Sequence, residues 1–281
     1  MKHISLTQLR SEATASLVKI GIDCAALDAD VLLAHALGKD RPFLLSHGND
    51  GVAPAIVRRF LKALHRRMNH EPVAYITGVK EFYGWEFAVN HHVLIPRPKT
   101  EDLVEQAKTI LAEWNLAETL VIDVGTGSGI LAITVKKLFP RGTVLAIDHS
   151  KRALSVAKGN AERHGFAVAD QGGWMVNLHS PVIHFLHSDL LSRVADFPFR
   201  NVLILANLPY VPRQEIATLE RDVKDYEPGK ALDGGEDGLD LFRRLAKQIR
   251  IKFADKDVRV LWECEKEQEE PVANMFAPFM A

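Results

Sequence analysis

Four residues are placed to do chemistry together: Asn207, Leu208, Pro209 and Tyr210, at the end of the apolar run in ILANLPYVP. The run reads as a buried strand, so the four residues fall in the loop at its mouth. A planar NH2 group that is to accept a methyl must turn its nitrogen toward the reacting carbon, which requires both its hydrogens to be held. The Asn207 side-chain oxygen can take one hydrogen and the backbone carbonyl of Leu208 the other. Pro209 fixes its own φ and biases Leu208 away from the helical region, which holds that carbonyl still. Tyr210 offers a flat face to the planar group and a π cloud to a nearby cation. The plainer reading is a strand end with an Asx-type turn and a packing tyrosine. If the chemistry holds, Asn207→Ala should lose the reaction, and Asn207→Asp, which keeps an acceptor oxygen, should retain more.

A second candidate lies upstream in VIDVGTGSGI, where a strand runs into a helix through Gly125, Gly127 and Gly129. The dinucleotide spacing GxGxxG fails, because the sixth position from Gly125 is Ile130. The arrangement from Asp123 through Thr126 and Ser128 to Gly129 instead resembles the cofactor loop of S-adenosylmethionine-dependent methyltransferases. Asp123 would add negative charge near a sulfonium. Asp148 ends the second strand-like run, where a carboxylate can accept from both ribose hydroxyls. Asp189 ends the third, within reach of an adenine amino group, and Leu190 beside it can cover the adenine face. Each acid alone is also a reasonable helix cap; three at successive strand ends point to an adenosine-bearing ligand.

These residues need an α/β frame. From Thr119 onward five apolar runs, TLVIDVG, GTVLAID, PVIHFLHSD, NVLILAN and DVRVLWECE, alternate with helical segments, which predicts a doubly wound parallel sheet of five strands with an exposed edge. The stretch ADQGGWMVNLHS reads as a flexible loop. Three regions are expected: an N-terminal helical domain over 1–75, a β-hairpin linker over 76–98, and a catalytic domain over 99–281. In the first, DADVLLAHALG is a helix stopped by Gly38. APAIVRRFLKALHRRMNH is another, with Val57, Phe60, Leu61, Leu64 and Met68 on one face and Arg58, Arg59, Lys62, Arg66 and Arg67 largely opposite. Pro96 and Pro98 lead into a helix from Glu101 to Trp114.

With 281 residues, 47% of them hydrophobic, the chain can bury two cores, and its net charge of -1 gives no global basic field. Cys24 and Cys264 form no CxxC pair, so neither a disulfide framework nor a cysteine zinc site is expected, and the 12 histidines show no ligand spacing. MKHISLTQLRSEA lacks a signal-peptide core, and no apolar run approaches the ~20 residues that cross a bilayer. A cytoplasmic, metal-free monomer is expected.

Taken together, LDADVLLAHALG, RRMNHEPVAYITGVKEFYG, VLIPRPKTEDLVE, DVGTGSGI, NLPYVP, YEPGKALDGGEDGLDLFRRL and LWECEKEQ resemble, in order and spacing, the HemK/PrmC family of protein-glutamine N5-methyltransferases. The resemblance implies a Rossmann-like class I methyltransferase domain behind a small helical domain and a hairpin. It also implies methyl transfer from S-adenosyl-L-methionine to the glutamine of the Gly-Gly-Gln motif in peptide-chain release factors. By that resemblance Gly125 to Gly129, Asp148 and Leu190 would bind the cofactor, and Asn207 would touch cofactor and substrate. Leu208, Pro209 and Tyr210 would hold the glutamine, and the helical domain would dock the release factor. The chain departs from the family at Lys99, where an acid is usual, at Leu208, where a proline is commoner, and in stopping at Ala281 before the usual final strand pair, so a shortened sheet is expected. Two other functions are compatible with the motifs. One is amino-group methylation of a nucleic-acid base, adenine-N6 or guanine-N2, favoured by the basic helix around Arg58 to Arg67 but lacking interleaved stacking residues. The other is cofactor binding without activity.

Overall fold

The computed structural model describes residues 4–170 and 181–279. Helices come first: α1 (Leu6–Lys19), α2 (Ala25–Leu37), α3 (Arg41–Ser46), α4 (Pro54–Met68) and α5 (Val73–Thr77). The strands β1 (Val79–Phe82) and β2 (Trp85–Ala88) follow, then α6 (Glu101–Glu113), β3 (Thr119–Val124), α7 (Ile130–Leu138), β4 (Thr143–Asp148) and α8 (Lys151–Arg163). The chain continues through β5 (Ala167–Asp170), β6 (Val182–His187), β7 (Asn201–Ala206), α9 (Arg221–Lys224), α10 (Asp240–Lys252), β8 (Asp257–Trp262) and α11 (Glu269–Phe276). None of the described helices is long and apolar enough to cross a membrane. The chain divides into two compact units, one of the residues up to Val79 with Glu220–Tyr226, the other from Lys80 to Leu219 and from Glu227 onward.

In the first unit local chemistry sets the helix ends. The Ser5 hydroxyl accepts from the Gln8 amide at the start of α1 and Asp40 accepts from Phe43 N at the start of α3. Gly38 ends α2 in the left-handed conformation, as its position in the sequence predicts. Leu9, Leu17, Leu32, Leu33, Leu44, Phe60 and Leu64 fill the core. The buried face of α4 differs from the expected one: Phe60, Ala63, Leu64 and Arg67 face inward, while Leu61 and Met68 are exposed. The 3.6-residue period explains this, since positions 60, 64 and 67 align and 61 and 68 fall off the stripe. Arg67 is tolerated inside because its Nε donates to Asp28 at 2.6 Å and its Nη1 lies 3.6 Å from Asp222; without partners the buried guanidinium would be costly. The segment Glu220–Tyr226 is thus tied to α4, and the Tyr226 hydroxyl adds a bond to the Asn69 carbonyl at 2.6 Å.

The strands β1 and β2 pair through a two-residue turn, Tyr83 at φ 52 and Gly84 at φ 78. Positive φ at both positions is the type I′ geometry whose twist matches the flanking strands. The main sheet has the order β5-β6-β4-β3-β7-β8, and every pairing is parallel. β3 is buried at every position and sits in mid-sheet with apolar layers on both faces, Leu120 and Ile122 on one and Val121 on the other; a parallel strand covered on two sides is mostly apolar, and Asp123 near its carboxyl end is the buried exception. Strand order reverses at β3, between β4 and β7, and the crevice beyond that point is where such sheets hold ligands.

Among the described residues the sheet has six strands where five were expected. The extra one is β5 at the edge, Ala-Val-Ala-Asp, part-exposed throughout and too short and too polar in its surroundings to show as a strand in sequence. It takes up the beginning of the stretch expected as a loop; the remainder of that stretch, 171–180, lies outside the described residues. At the other edge β8 is followed by α11, whose Phe276 packs against Phe242 and Trp262 at 6.4 and 5.4 Å between ring centroids.

Candidate active site

The glycine loop connects β3 to α7. Gly125 N and Thr126 N both donate to the Ile147 carbonyl at 2.8 Å, which ties the loop to β4. Gly129 closes it at φ 85, and a Cβ there would meet Ile133 at 3.0 Å and Ala157 at 3.2 Å. Both the conformation and the approach of α8 therefore demand glycine. At Gly125 the space is limited by the acceptor motif itself: a Cβ would lie 3.3 Å from the Leu208 side chain.

Two acids hold the loop from below. The Asp123 carboxylate accepts from the Thr126 hydroxyl at 2.6 Å and from Ala132 N at 3.0 Å. Burial pushes its carboxyl up to about 7, against those two bonds and with help from the charge of Asp148. Asp148 accepts from Gly127 N at 2.9 Å and from Ser150 N at 2.7 Å, and burial raises its carboxyl too. Each Asp148 oxygen keeps a lone pair for a ligand hydroxyl. Behind the loop, the fully buried Asn160 of α8 bonds to Ser128 O and to both backbone groups of Ala88.

A cavity of about 1000 Å3 opens beyond the carboxyl ends of the strands. Of the residues expected to contact a cofactor, all but Gly129 line it, and Asn207, Leu208 and Pro209 line it as well. Tyr210 is not part of the wall. Asp189 is half-exposed and paired with Arg244, so one of its oxygens already has a partner. Leu190 is buried at φ 49, a left-handed conformation that costs a non-glycine residue about 1 kcal/mol.

The acceptor side is built where β7 meets β8. Their register pairs Ala206 with Trp262, and Glu263 N continues the ladder to Ala206 O at 3.1 Å. The next side chains along, Asn207 and Glu263, are therefore neighbours. Asn207 Nδ2 donates to Glu263 Oε2 at 3.2 Å and to Thr100 Oγ1 at 3.1 Å. The Tyr210 hydroxyl donates to Glu263 Oε1 at 3.3 Å. Burial raises the Glu263 carboxyl, opposed by hydrogen bonds from Thr100 and Tyr210 and by the charge of Lys99. Burial also raises the Tyr210 phenol, and the charges of Glu263 and Glu265 reinforce it, so it stays a neutral donor.

Glu263 and Thr100 were not among the expected site residues. The available signal was an acid, Glu263, closing the apolar run of β8; Thr100 carried none. Lys99, where the family has an acid, donates from Nζ to the Cys264 carbonyl at 2.8 Å, which anchors the residue after Glu263. Glu227, in the stretch YEPGKALDGG, is buried; it accepts from Ile95 N at 3.1 Å and pairs with Arg97, fixing the wall segment that leads to Thr100.

The PrmC N-terminal domain family matches residues 8–78, and the ribosomal protein L11 methyltransferase (PrmA) family matches residues 106–203. The chain is 40% identical over 227 residues to the release factor glutamine methyltransferase of Koribacter versatilis, an overlap of 79% of this chain and 73% of that protein. It is 34% identical over 288 residues to the bifunctional methyltransferase of Rickettsia typhi, covering 97% of this chain and 52% of the relative. The chain thus spans about half the length of the bifunctional relatives it matches. Among solved structures, the hMettl16 catalytic domain in complex with MAT2A 3'UTR hairpin 6 superposes with a TM-score of 0.50 at 17% identity, over 80% of this chain and 73% of that one, a likeness of fold. With a match to the PrmC N-terminal domain over residues 8–78 and 40% identity over 73% of a release factor glutamine methyltransferase, the chain belongs to the HemK/PrmC family of release factor glutamine methyltransferases.

Proposed function

We propose that the protein transfers a methyl group from S-adenosyl-L-methionine to the side-chain amide nitrogen of the glutamine in the Gly-Gly-Gln motif of a peptide-chain release factor, acting as a monomer in the cytoplasm. The observation that carries this reading is the state of Asn207. Both its Nδ2 hydrogens have acceptors, Thr100 and Glu263, which leaves Oδ1 as the open acceptor in a cavity shared with the glycine loop. A carboxamide NH2 is the complementary group.

The chain's own residues fit the cofactor. The cavity has room for a nucleoside-sized ligand beside a small acceptor. Asp148 keeps free lone pairs for ribose hydroxyls, Asp189 and Leu190 would stand at the adenine end, and Asp123 has a carboxyl that a nearby cation would ionise. When bound, S-adenosylmethionine supplies a methyl group on a positively charged sulfur.

An amide nitrogen is a poor nucleophile, since its lone pair is delocalised into the carbonyl. Asn207 Oδ1 and the Leu208 carbonyl would hold its two hydrogens, aim the nitrogen and stabilise the positive charge that develops on it. The acceptor nitrogen would take the methyl that the bound cofactor supplies and give up one of its hydrogens to water, so no general base is assigned.

A nucleic-acid base is the second reading. Arg58, Arg59 and Lys62 are exposed on α4, but Arg66 and Arg67 of the same helix are in ion pairs with Glu71 and Asp28. Incubation with methyl-labelled cofactor and either a release factor or a nucleic acid separates the two readings. Label in the nucleic acid alone would overturn the proposal, and label in neither would leave a cofactor-binding protein.

A further inference from the structure

We infer that Glu263 is a positioning residue that fixes which end of the Asn207 amide faces the acceptor. This rests on the proposed role of Asn207. An amide side chain can rotate by half a turn and exchange its oxygen for its NH2 with little change in shape. For Asn207 the two orientations have opposite consequences. With Oδ1 toward the cavity, the residue accepts a hydrogen from a substrate NH2. With Nδ2 toward the cavity, it presents hydrogens to hydrogens, and the substrate nitrogen is neither held nor stabilised.

The surroundings choose the first orientation. An ionised carboxylate can only accept. A rotated Asn207 would set Oδ1 against Glu263 Oε2, two acceptors at the present separation of 3.2 Å. The carboxylate is itself held in place, with Oε1 taking the Tyr210 hydroxyl at 3.3 Å. The Thr100 hydroxyl oxygen also faces Asn207 Nδ2, as an acceptor at 3.1 Å. Both partners of Asn207 Nδ2 are therefore acceptors, and both Nδ2 hydrogens are used. Lys99 adds a positive charge on this side that favours the ionised acid. The β7–β8 register makes the pairing unavoidable, since it places position 263 beside position 207.

The test compares the wild type with Glu263→Gln, Glu263→Asp, Asn207→Ala and the double variant Asn207→Ala/Glu263→Gln. Single-turnover rates on a whole release factor, cofactor affinity and melting temperature are measured for each. Glutamine has the size of glutamate but can donate to Asn207 Oδ1, so Glu263→Gln should release the amide and lower kcat by about a hundredfold, the scale of losing one oriented transition-state group. Cofactor affinity should change less than about twofold, because the glycine loop is untouched. Glu263→Asp keeps an acceptor-only group and should retain more activity than Glu263→Gln. In the Asn207→Ala background Glu263→Gln should cost less than about twofold, since the residue acts through Asn207. A merely structural Glu263 gives the reverse ranking, with the isosteric glutamine the milder change. Near-wild-type turnover by Glu263→Gln, glutamine outperforming aspartate, or an equal cost with and without Asn207 would each overturn the inference. Should Glu263→Asp fail to fold, the glutamine and double variants decide alone. Full turnover by folded Asn207→Ala would sink the underlying reading of the site, whereas a slow Asn207→Ala with a fast Glu263→Gln sinks this inference only.

Discussion

Asn160 accepts a hydrogen bond from the Ala88 amide at 2.8 Å and returns one to the Ala88 carbonyl at 2.9 Å, and its remaining Nδ2 hydrogen reaches Ser128 O at 2.8 Å. One fully buried side chain thus joins the hairpin strand β2 to the glycine loop. Asn160→Ala would leave three backbone groups without partners, and should destabilise the protein by about 3 kcal/mol and weaken cofactor binding as the loop loosens. Denaturant unfolding reads the first effect and calorimetry the second. A stability loss below about 1 kcal/mol would mean that water or relaxation replaces the bonds.

Asp123 makes stability depend on pH in a defined direction. Its carboxyl is pushed up to about 7 in the folded chain, chiefly by burial, and returns to an ordinary value of about 4 on unfolding. The unfolded state therefore gives up the proton first. The stability tied to this group is complete below about pH 4 and is lost as pH rises through about 7. Asp123→Asn should flatten that decline in melting temperature, and an unchanged slope would assign it to other groups.

The same carboxyl should sense a cationic ligand. A sulfonium favours the ionised form, whereas the neutral thioether of S-adenosylhomocysteine does not. The ratio of S-adenosylmethionine to S-adenosylhomocysteine affinity should rise between about pH 6 and 8 in the wild type and stay level in Asp123→Asn. A flat ratio in both would place the sulfonium out of reach of Asp123.

Asp148 both holds Gly127 and Ser150 and faces the cavity. Asp148→Ala should weaken cofactor binding by about 1.5–3 kcal/mol, read by calorimetry, with a smaller effect on kcat at saturating cofactor. Unchanged affinity would remove Asp148 from the site.

At Asn207 the structure reverses an expectation drawn from sequence. Asparagine to aspartate keeps an acceptor oxygen and, considered alone, should spare activity relative to alanine. With Glu263 only 3.2 Å from Nδ2, the substitution sets two carboxyl groups against each other and removes both donors. Two such groups share a proton, so one carboxyl turns donor. Asn207→Asp should therefore be no more active than Asn207→Ala and should melt lower than the wild type. Both variants should lose about a hundredfold in kcat; an Asn207→Asp that clearly outperforms alanine would mean that Glu263 does not restrain the amide.

Asp148 and Asn207 were legible because each closes an apolar run, and Asp123 and the glycines because they mark where such a run gives way to a helix; in a parallel sheet the ends of these runs converge on one edge. β5 was illegible because Ala-Val-Ala-Asp is only four residues long with a single β-branched side chain, and it takes its strand geometry from β6. The Arg67–Asp222 contact and the Asn207–Glu263–Thr100 network join residues far apart in sequence and depend on strand register and helix phase, which composition and spacing do not encode. Lys99 marked a departure from the family, but its bond to the Cys264 carbonyl could be found only with both chain segments in place.

The proposed reaction is methylation of a glutamine side-chain nitrogen, and fragment mass spectrometry of a release factor incubated with the enzyme and S-adenosylmethionine reads it directly. One added methyl group is expected on the glutamine of the Gly-Gly-Gln motif, absent when that glutamine is replaced and lost in parallel with turnover in Asn207→Ala. A methyl group on any other residue, or an unmodified release factor beside a methylated nucleic acid, would contradict it.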